Sequence, residues 1–141
     1  MEIKQASSKE DFLNCFEVVK ELRPHLKQDS YIDMVLQMMD EGYKMIYVEM
    51  EGKAVSFCGY RYETMFHRGK SIYIDDLCSL PEARGKGHAG ALLDYVTAEA
   101  KENGCKTIHL DSGHHRYTAH RLYLNKRYKI IAHHFALDLE D

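Results

Sequence analysis

The apolar positions of this chain recur with two periods, one helical and one extended. Glu2 to Ala6 predicts a short first strand, and Ser7-x-x-Glu10 has the form of a capping box. Phe12, Phe16 and Val19 then keep helical spacing to about Leu22, where Pro24 stops the run. Asp29 or Ser30 suits the start of a second helix, with Met34, Val35, Met38 and Met39 on one face and Gly42 at its end. Tyr43 to Met50 and Ala54 to Glu63 predict two strands around a tight turn at Glu51-Gly52-Lys53. Gly69 to Ser79 is a fourth strand. Ala89, Leu92, Leu93, Val96 and Ala100 share one face of a third helix that runs to about Asn103, with Gly104 as its cap. Thr107 to Asp111 is a fifth strand and Tyr117 to Lys126 a fourth helix, and two short strands to about Leu139 complete the order βααβββαβαββ. The expected class is α/β (α+β), with a mixed, mostly antiparallel sheet.

Composition narrows the class of function. A chain of 141 residues is enough for one domain with a real core and too short for two, so residues 1–141 are expected to form a single domain. A formal net charge of −3 argues against general nucleic-acid binding. No apolar run has the length of a membrane span and the N-terminus lacks a signal-peptide pattern, so a cytoplasmic location away from membranes is expected. Cys15, Cys58, Cys78 and Cys105 are scattered without a C-x-x-C pair, as reduced thiols are. His114-His115 and His133-His134 lack the spacing of converging zinc ligands, so no metal is expected.

The densest signal is Leu80-Pro81-Glu82-Ala83-Arg84-Gly85-Lys86-Gly87-His88-Ala89-Gly90, set between the fourth strand and the third helix. Glycines there permit positive φ and close backbone approach. The first N–H groups of a helix lack internal partners and lie at the positive end of its dipole. Together they form an anion site suited to phosphate, with Arg84 and Lys86 adding charge. A Walker loop is excluded because His88 follows where Ser or Thr is required; Gly85, Gly87 and Gly90 match dinucleotide spacing, but no second nucleotide half follows.

Arg84, Gly87 and Ala89 form R-x-x-G-x-A, and Ala119-His120-Arg121-Leu122-Tyr123 lies about 30 residues on. This pair resembles the acetyl-CoA loop and the A-x-x-[LF]-Y segment of the GNAT N-acetyltransferase superfamily, over Ser71 to Leu139. The resemblance implies a GNAT fold with splayed central strands. It implies acetyl-CoA as cosubstrate, held by Leu77, Cys78 and Ser79 on one edge of the fourth strand and by Arg84, Gly85, Lys86, Gly87, His88, Ala89 and Gly90 in the loop. A bulge near Leu77–Ser79 would free N–H groups for the thioester carbonyl.

Tyr123 matches the family's general acid, and Asp75 and Asp76 occupy the strand where members often carry a base. Strand alternation sends these two aspartates to opposite faces, so one at most faces the cleft. The resemblance to some aminoglycoside acetyltransferases favours Asp75 slightly. Many members carry Asn seven residues before the tyrosine; Arg116 stands there, able to reach phosphate or substrate or simply to be exposed. Arg127-Tyr128 replaces the usual Gly-Phe after the fourth helix. Cys78 reads as a small half-buried residue rather than a nucleophile, because an amine attacks the thioester directly. His115 or His120 is a candidate substrate contact, against a plain exposed helix face. Tyr31, Tyr60, Tyr62, Arg61 and the second-helix methionines are candidates for the acceptor wall, with Tyr60 and Tyr62 on one sheet face and Arg61 on the other. The implied activity is acetyl transfer to a primary amine, on a small molecule or alternatively on a peptide or protein. A non-catalytic acyl-CoA-binding module and a homodimer stay open beside it.

Overall fold

The computed structural model describes residues 1–140. It divides into two compact units, Met1–Leu110 and the residues from Asp111 onward. In the first unit, β1 (Glu2–Gln5), β2 (Lys44–Met50), β3 (Lys53–Met65), β4 (Gly69–Ser79) and β5 (Thr107–Leu110) form one sheet in sequence order. The first three pairings are antiparallel. β5 runs parallel to β4, after the crossover through α3 (His88–Glu102). α1 (Lys9–Leu22) and α2 (Gln28–Asp40) lie between β1 and β2 in sequence.

Local chemistry sets most element ends. Ser8 caps α1, with Asp11 closing the reciprocal box, so the box sits one residue beyond Ser7-x-x-Glu10. α2 starts at Gln28 without a side-chain cap, and Ser30 Oγ instead donates to Lys27 O (3.1 Å). Neither Asp29 nor Ser30 therefore caps it. Glu51 (φ 53°) and Gly52 (φ 78°) make the tight β2–β3 turn, the left-handed pair that suits the twist of a two-residue hairpin.

The sheet packs between helices. Phe12, Cys15, Val18 and Val19 of α1 are buried on one face. Leu92, Leu93, Val96 and Ala100 of α3 are buried on the other, where they supply about 1.5–3 kcal/mol each for the larger side chains. Tyr31 of α2 is buried and donates to Phe12 O (2.7 Å), which straps α2 to α1. It is a strut rather than part of an acceptor wall. Met34 is half exposed, off the face that buries Tyr31, Ile32 and Val35.

In the second unit α4 (Tyr117–Asn125) is followed by a left-handed Arg127 (φ 71°). No strand follows α4 among the described residues, so the two predicted terminal strands are not formed. Alternating residues only make a segment competent for pairing. A ladder partner makes it a strand.

Candidate functional site

The register of β3 against β4 contains the decisive irregularity. Gly59 pairs with Asp76 and Tyr60 with Ile74, so Asp75 is the extra residue of a bulge. The expected bulge exists, two residues before Leu77. It has a consequence that strict alternation misses. Beyond a bulge the side-chain phase resets, and Asp75 and Asp76 join one cluster instead of facing opposite sides. Arg61 on β3 grips Asp75 through Nε (3.1 Å) and Nη2 (2.9 Å). Arg23, the residue capping α1 before Pro24, donates to Asp76 Oδ1 through Nε (3.2 Å) and Nη2 (2.9 Å), and to Asp75 O (3.2 Å). The Tyr43 hydroxyl donates to Asp76 Oδ2 (2.8 Å), and the Arg61 guanidinium lies over the Tyr43 ring (5.5 Å).

The electrostatics of the cluster are mixed. Burial pushes the Asp75 carboxyl above the usual aspartate range, and the negative charge of Asp76 adds to that; Arg61 pulls the other way without cancelling it. Asp75 therefore holds a proton more readily than an exposed aspartate does. The Tyr43 hydroxyl is raised well above its ordinary value by burial and by its carboxylate partner, so it stays a donor.

β5 pairs with β4 only from Ser71 to Ile74. From Asp75 to Ser79 the second edge of β4 has no strand partner among the described residues, although β3 continues on the other edge. Leu77 and Ser79 take one face; Cys78, half-buried, takes the other. Ser56 fixes this segment from behind, with its hydroxyl 2.8 Å from Ser79 Oγ and 3.1 Å from Cys78 O.

The chain then passes a short 3₁₀ turn, Pro81–Ala83, into the glycine loop. Gly85 (φ 75°) and Gly87 (φ 83°) are both left-handed, with nothing within 4 Å of where a Cβ would stand. Their glycines serve the backbone conformation and leave the loop open. Gly87 starts α3, and no side chain caps it. The amides at His88, Ala89 and Gly90 thus open a helix without a built-in acceptor, as an anion cradle requires.

His88 is itself buried, and its Nδ1 has no partner among the described residues. Burial, then the charge of Lys86, lowers its pKa, which favours the neutral ring. Its contribution to an anion would be its backbone amide. Arg84 pairs with Glu21 (3.2 Å); both are exposed.

Tyr60 and Tyr62 face α3, where their hydroxyls reach Glu99 at 2.7 and 2.6 Å, joined by Lys44 at 3.1 Å. Burial raises Glu99, but these three donors outweigh it and leave its pKa below the usual range. Tyr60 and Tyr62 are therefore on the opposite face from Arg61, as alternation predicts, and do not share its wall. In the second unit Tyr123 is half-buried on α4, with its ring 5.8 Å from that of Tyr128. Arg116 is the N-cap residue of α4, and its N–H donates to Gly113 O (3.0 Å). No group of three or more His, Cys, Asp or Glu positioned to hold a metal ion occurs among the described residues. Among the described residues no helix is long and apolar enough to cross a membrane.

Arg23, Tyr43 and Gly59 are the site residues that sequence patterns missed. A glycine inside a strand marks a bulge or a close approach, and Gly59 carried that signal. Arg23 had only the weaker hint of the helix stop at Pro24.

The Acetyltransferase (GNAT) family model matches residues 8–127. An uncharacterized N-acetyltransferase of Bacillus subtilis, YhdJ, is 30% identical over 125 residues, 88% of each chain. The D-amino-acid N-acetyltransferase HPA3 of Saccharomyces cerevisiae is 30% identical over 79 residues, 55% of this chain and 49% of its own. Among solved structures, an aminoglycoside N-acetyltransferase AAC(6')-Iy in complex with CoA has a similar fold, with a TM-score of 0.84 at 14% identity over 97% of this chain and 93% of that one.

Proposed function

Because the chain belongs to the GNAT acetyltransferase family, we propose that this acetyl-transferring enzyme acylates the primary amine of a small molecule, with Asp75 as proton acceptor and Tyr123 as proton donor. The observation that carries this reading is the bulge at Asp75. One irregularity coincides with the start of the unpaired edge of β4 and brings two carboxylates to a half-buried cluster beside it.

Acetyl-CoA supplies an acetyl thioester, whose C–S bond is exchanged for an amide C–N bond. The residues that would hold it are the β4 edge from Leu77 to Ser79 and the amides of Gly85 to Gly90. They fit, because β5 pairs with β4 only as far as Ile74 and no side-chain cap closes the start of α3 among the described residues. Backbone pairing along such an edge is recognition by strand addition.

An ammonium group must lose a proton to become a nucleophile, and the departing thiolate must gain one. Asp75 suits the first task because burial makes it a better proton acceptor than an exposed aspartate. Tyr123 enters on its place in the A-x-x-L-Y segment, and a phenol can protonate a thiolate within hydrogen-bond reach. Over one turnover an ammonium and a thioester give an amide, a free thiol and one released proton.

The test is a panel of small amines and of peptides with free N-termini, assayed with acetyl-CoA by release of the free thiol. Turnover with small amines is expected. Turnover confined to peptides or proteins would replace the acceptor assignment, and thioester binding without turnover on any amine would favour a binding module.

A further inference from the structure

Arg23 and Arg61 differ in how they hold their aspartates: Arg61 bridges both oxygens of Asp75, while Arg23 meets only Oδ1 of Asp76 and turns the rest of its Nη2 to Asp75 O. Each spends its Nε and Nη2 edge on one carboxylate, and no hydrogen bond from either Nη1 occurs among the described residues. A guanidinium has five donors in a planar fork, so Nη1 can donate to a second carboxylate while Nε and Nη2 keep their present acceptors. The two differ in access. Arg61 lies over the Tyr43 ring and its side chain is 26% exposed, whereas the Arg23 side chain is 43% exposed. Arg23 also donates to the carbonyl of Asp75, so its head group is held beside the bulge residue. Close to the edge of β4 that β5 leaves, there is thus a carboxylate, Asp75, adjoining a cation whose Nη1 makes no hydrogen bond among the described residues.

We propose that the acceptor is an α-amino acid, with its carboxylate on Nη1 of Arg23 and its amine against Asp75. A plain amine meets two guanidiniums here as well as two carboxylates, and gains only from the latter. A zwitterion with its two charges a few bonds apart complements both signs. Tyr43 and Gly59 support the arrangement. The hydroxyl of Tyr43, seated where Gly59 has no side chain, holds Asp76, and Asp76 in turn fixes the inner edge of Arg23. Arg23 is then the specificity residue and Asp76 its positioning residue. The inference rests on the small-amine reading above.

The experiment uses matched trios, each an amino acid, its amide and its decarboxylated amine, built on small, aromatic and basic side chains. Initial rates are measured for wild type and Arg23→Gln by free-thiol release. In at least one trio the amino acid should exceed both analogues in kcat/KM by roughly tenfold or more, since a site built to bind a group rejects analogues lacking it. Arg23→Gln should collapse that ratio toward one, mainly through KM, and Arg23→Lys should restore part of it.

Equal rates across every trio, or an Arg23→Gln variant that lowers all members in parallel, would overturn the inference and leave small-amine acetylation standing. If no small amine turns over while peptides do, the small-acceptor reading fails and takes this inference with it. Circular dichroism and calorimetric binding of CoA on both variants separate loss of fold from loss of selectivity.

Discussion

The hydroxyl of Tyr43 occupies the space that a Cβ on Gly59 would fill. From there it donates to Asp76 Oδ2 at 2.8 Å. Gly59→Ala forces the ring out and removes the bond. The expected cost is about 1–3 kcal/mol from overpacking. Tyr43→Phe keeps the ring and loses one hydrogen bond to a carboxylate, for about 1.5–3 kcal/mol. Urea melts of both variants with an unchanged m value check these figures. Wild-type stability in Gly59→Ala would mean that the tyrosine does not need the notch.

Gly87 is left-handed and open above (φ 83°). Gly87→Asp imposes a left-handed strain of about 1–2 kcal/mol on a non-glycine residue and sets a negative charge at the uncapped start of α3. Affinity for acetyl-CoA should fall by roughly tenfold or more, through repulsion where anions otherwise bind. Isothermal calorimetry is the measurement, and unchanged affinity would remove the loop from the cofactor site.

Tyr123→Phe retains the ring and abolishes the phenolic proton. If the phenol protonates the leaving thiolate, kcat drops by roughly 10²–10⁴, with acetyl-CoA affinity nearly constant. Full turnover in this variant would reduce Tyr123 to packing.

Asp75 gives a pH signature. Its folded-state pKa is raised, by burial first. A base must be ionised to accept a proton, so activity should fall as pH falls through that raised value, at a midpoint above the ordinary aspartate value of about 3.9. Asp75→Asn should abolish this acidic limb along with most of the rate. Asp76→Asn removes a neighbouring negative charge and should move the limb to lower pH. Stability follows the same sign: the buried carboxyl favours the fold while protonated, and that contribution is lost as pH rises through its folded pKa. Rate profiles for both variants with one confirmed amine decide it. Unchanged profiles in both would assign deprotonation elsewhere.

Arg127 holds a left-handed φ of 71° just after α4. Side chains other than glycine pay about 1–2 kcal/mol there, and glycine returns part of the gain through the freedom of its unfolded chain. Arg127→Gly should therefore stabilise by about 0.5–1 kcal/mol, read as a higher denaturation midpoint.

Features that depend on near neighbours were legible in the chain. The Glu51-Gly52 turn, the limits of β4 at Gly69 and Ser79, and the glycine loop opening α3 all follow from residues within a few positions of each other. Positive φ and free helix amides are properties of short segments, so a short motif suffices to announce them. The face sharing of Tyr60 and Tyr62 was equally legible, because no irregularity interrupts alternation between them.

The element order through α4, the left-handed glycine loop that opens α3 and the family to which they point are thus properties of local patterns in the chain. The placement of the two aspartates came instead from long-range pairing. Alternation holds while the register is intact, and the register depends on which β3 residue faces which on β4. With Gly59 opposite Asp76 and Tyr60 opposite Ile74, Asp75 is squeezed out as the bulge, so that its carboxylate meets Arg61 while that of Asp76 meets Arg23 and Tyr43. Those partners lie between 14 and 53 residues away along the chain. The predicted terminal strands failed for the same reason. Hydrogen-bonded pairing is a relation between distant segments, and no local pattern contains its partner.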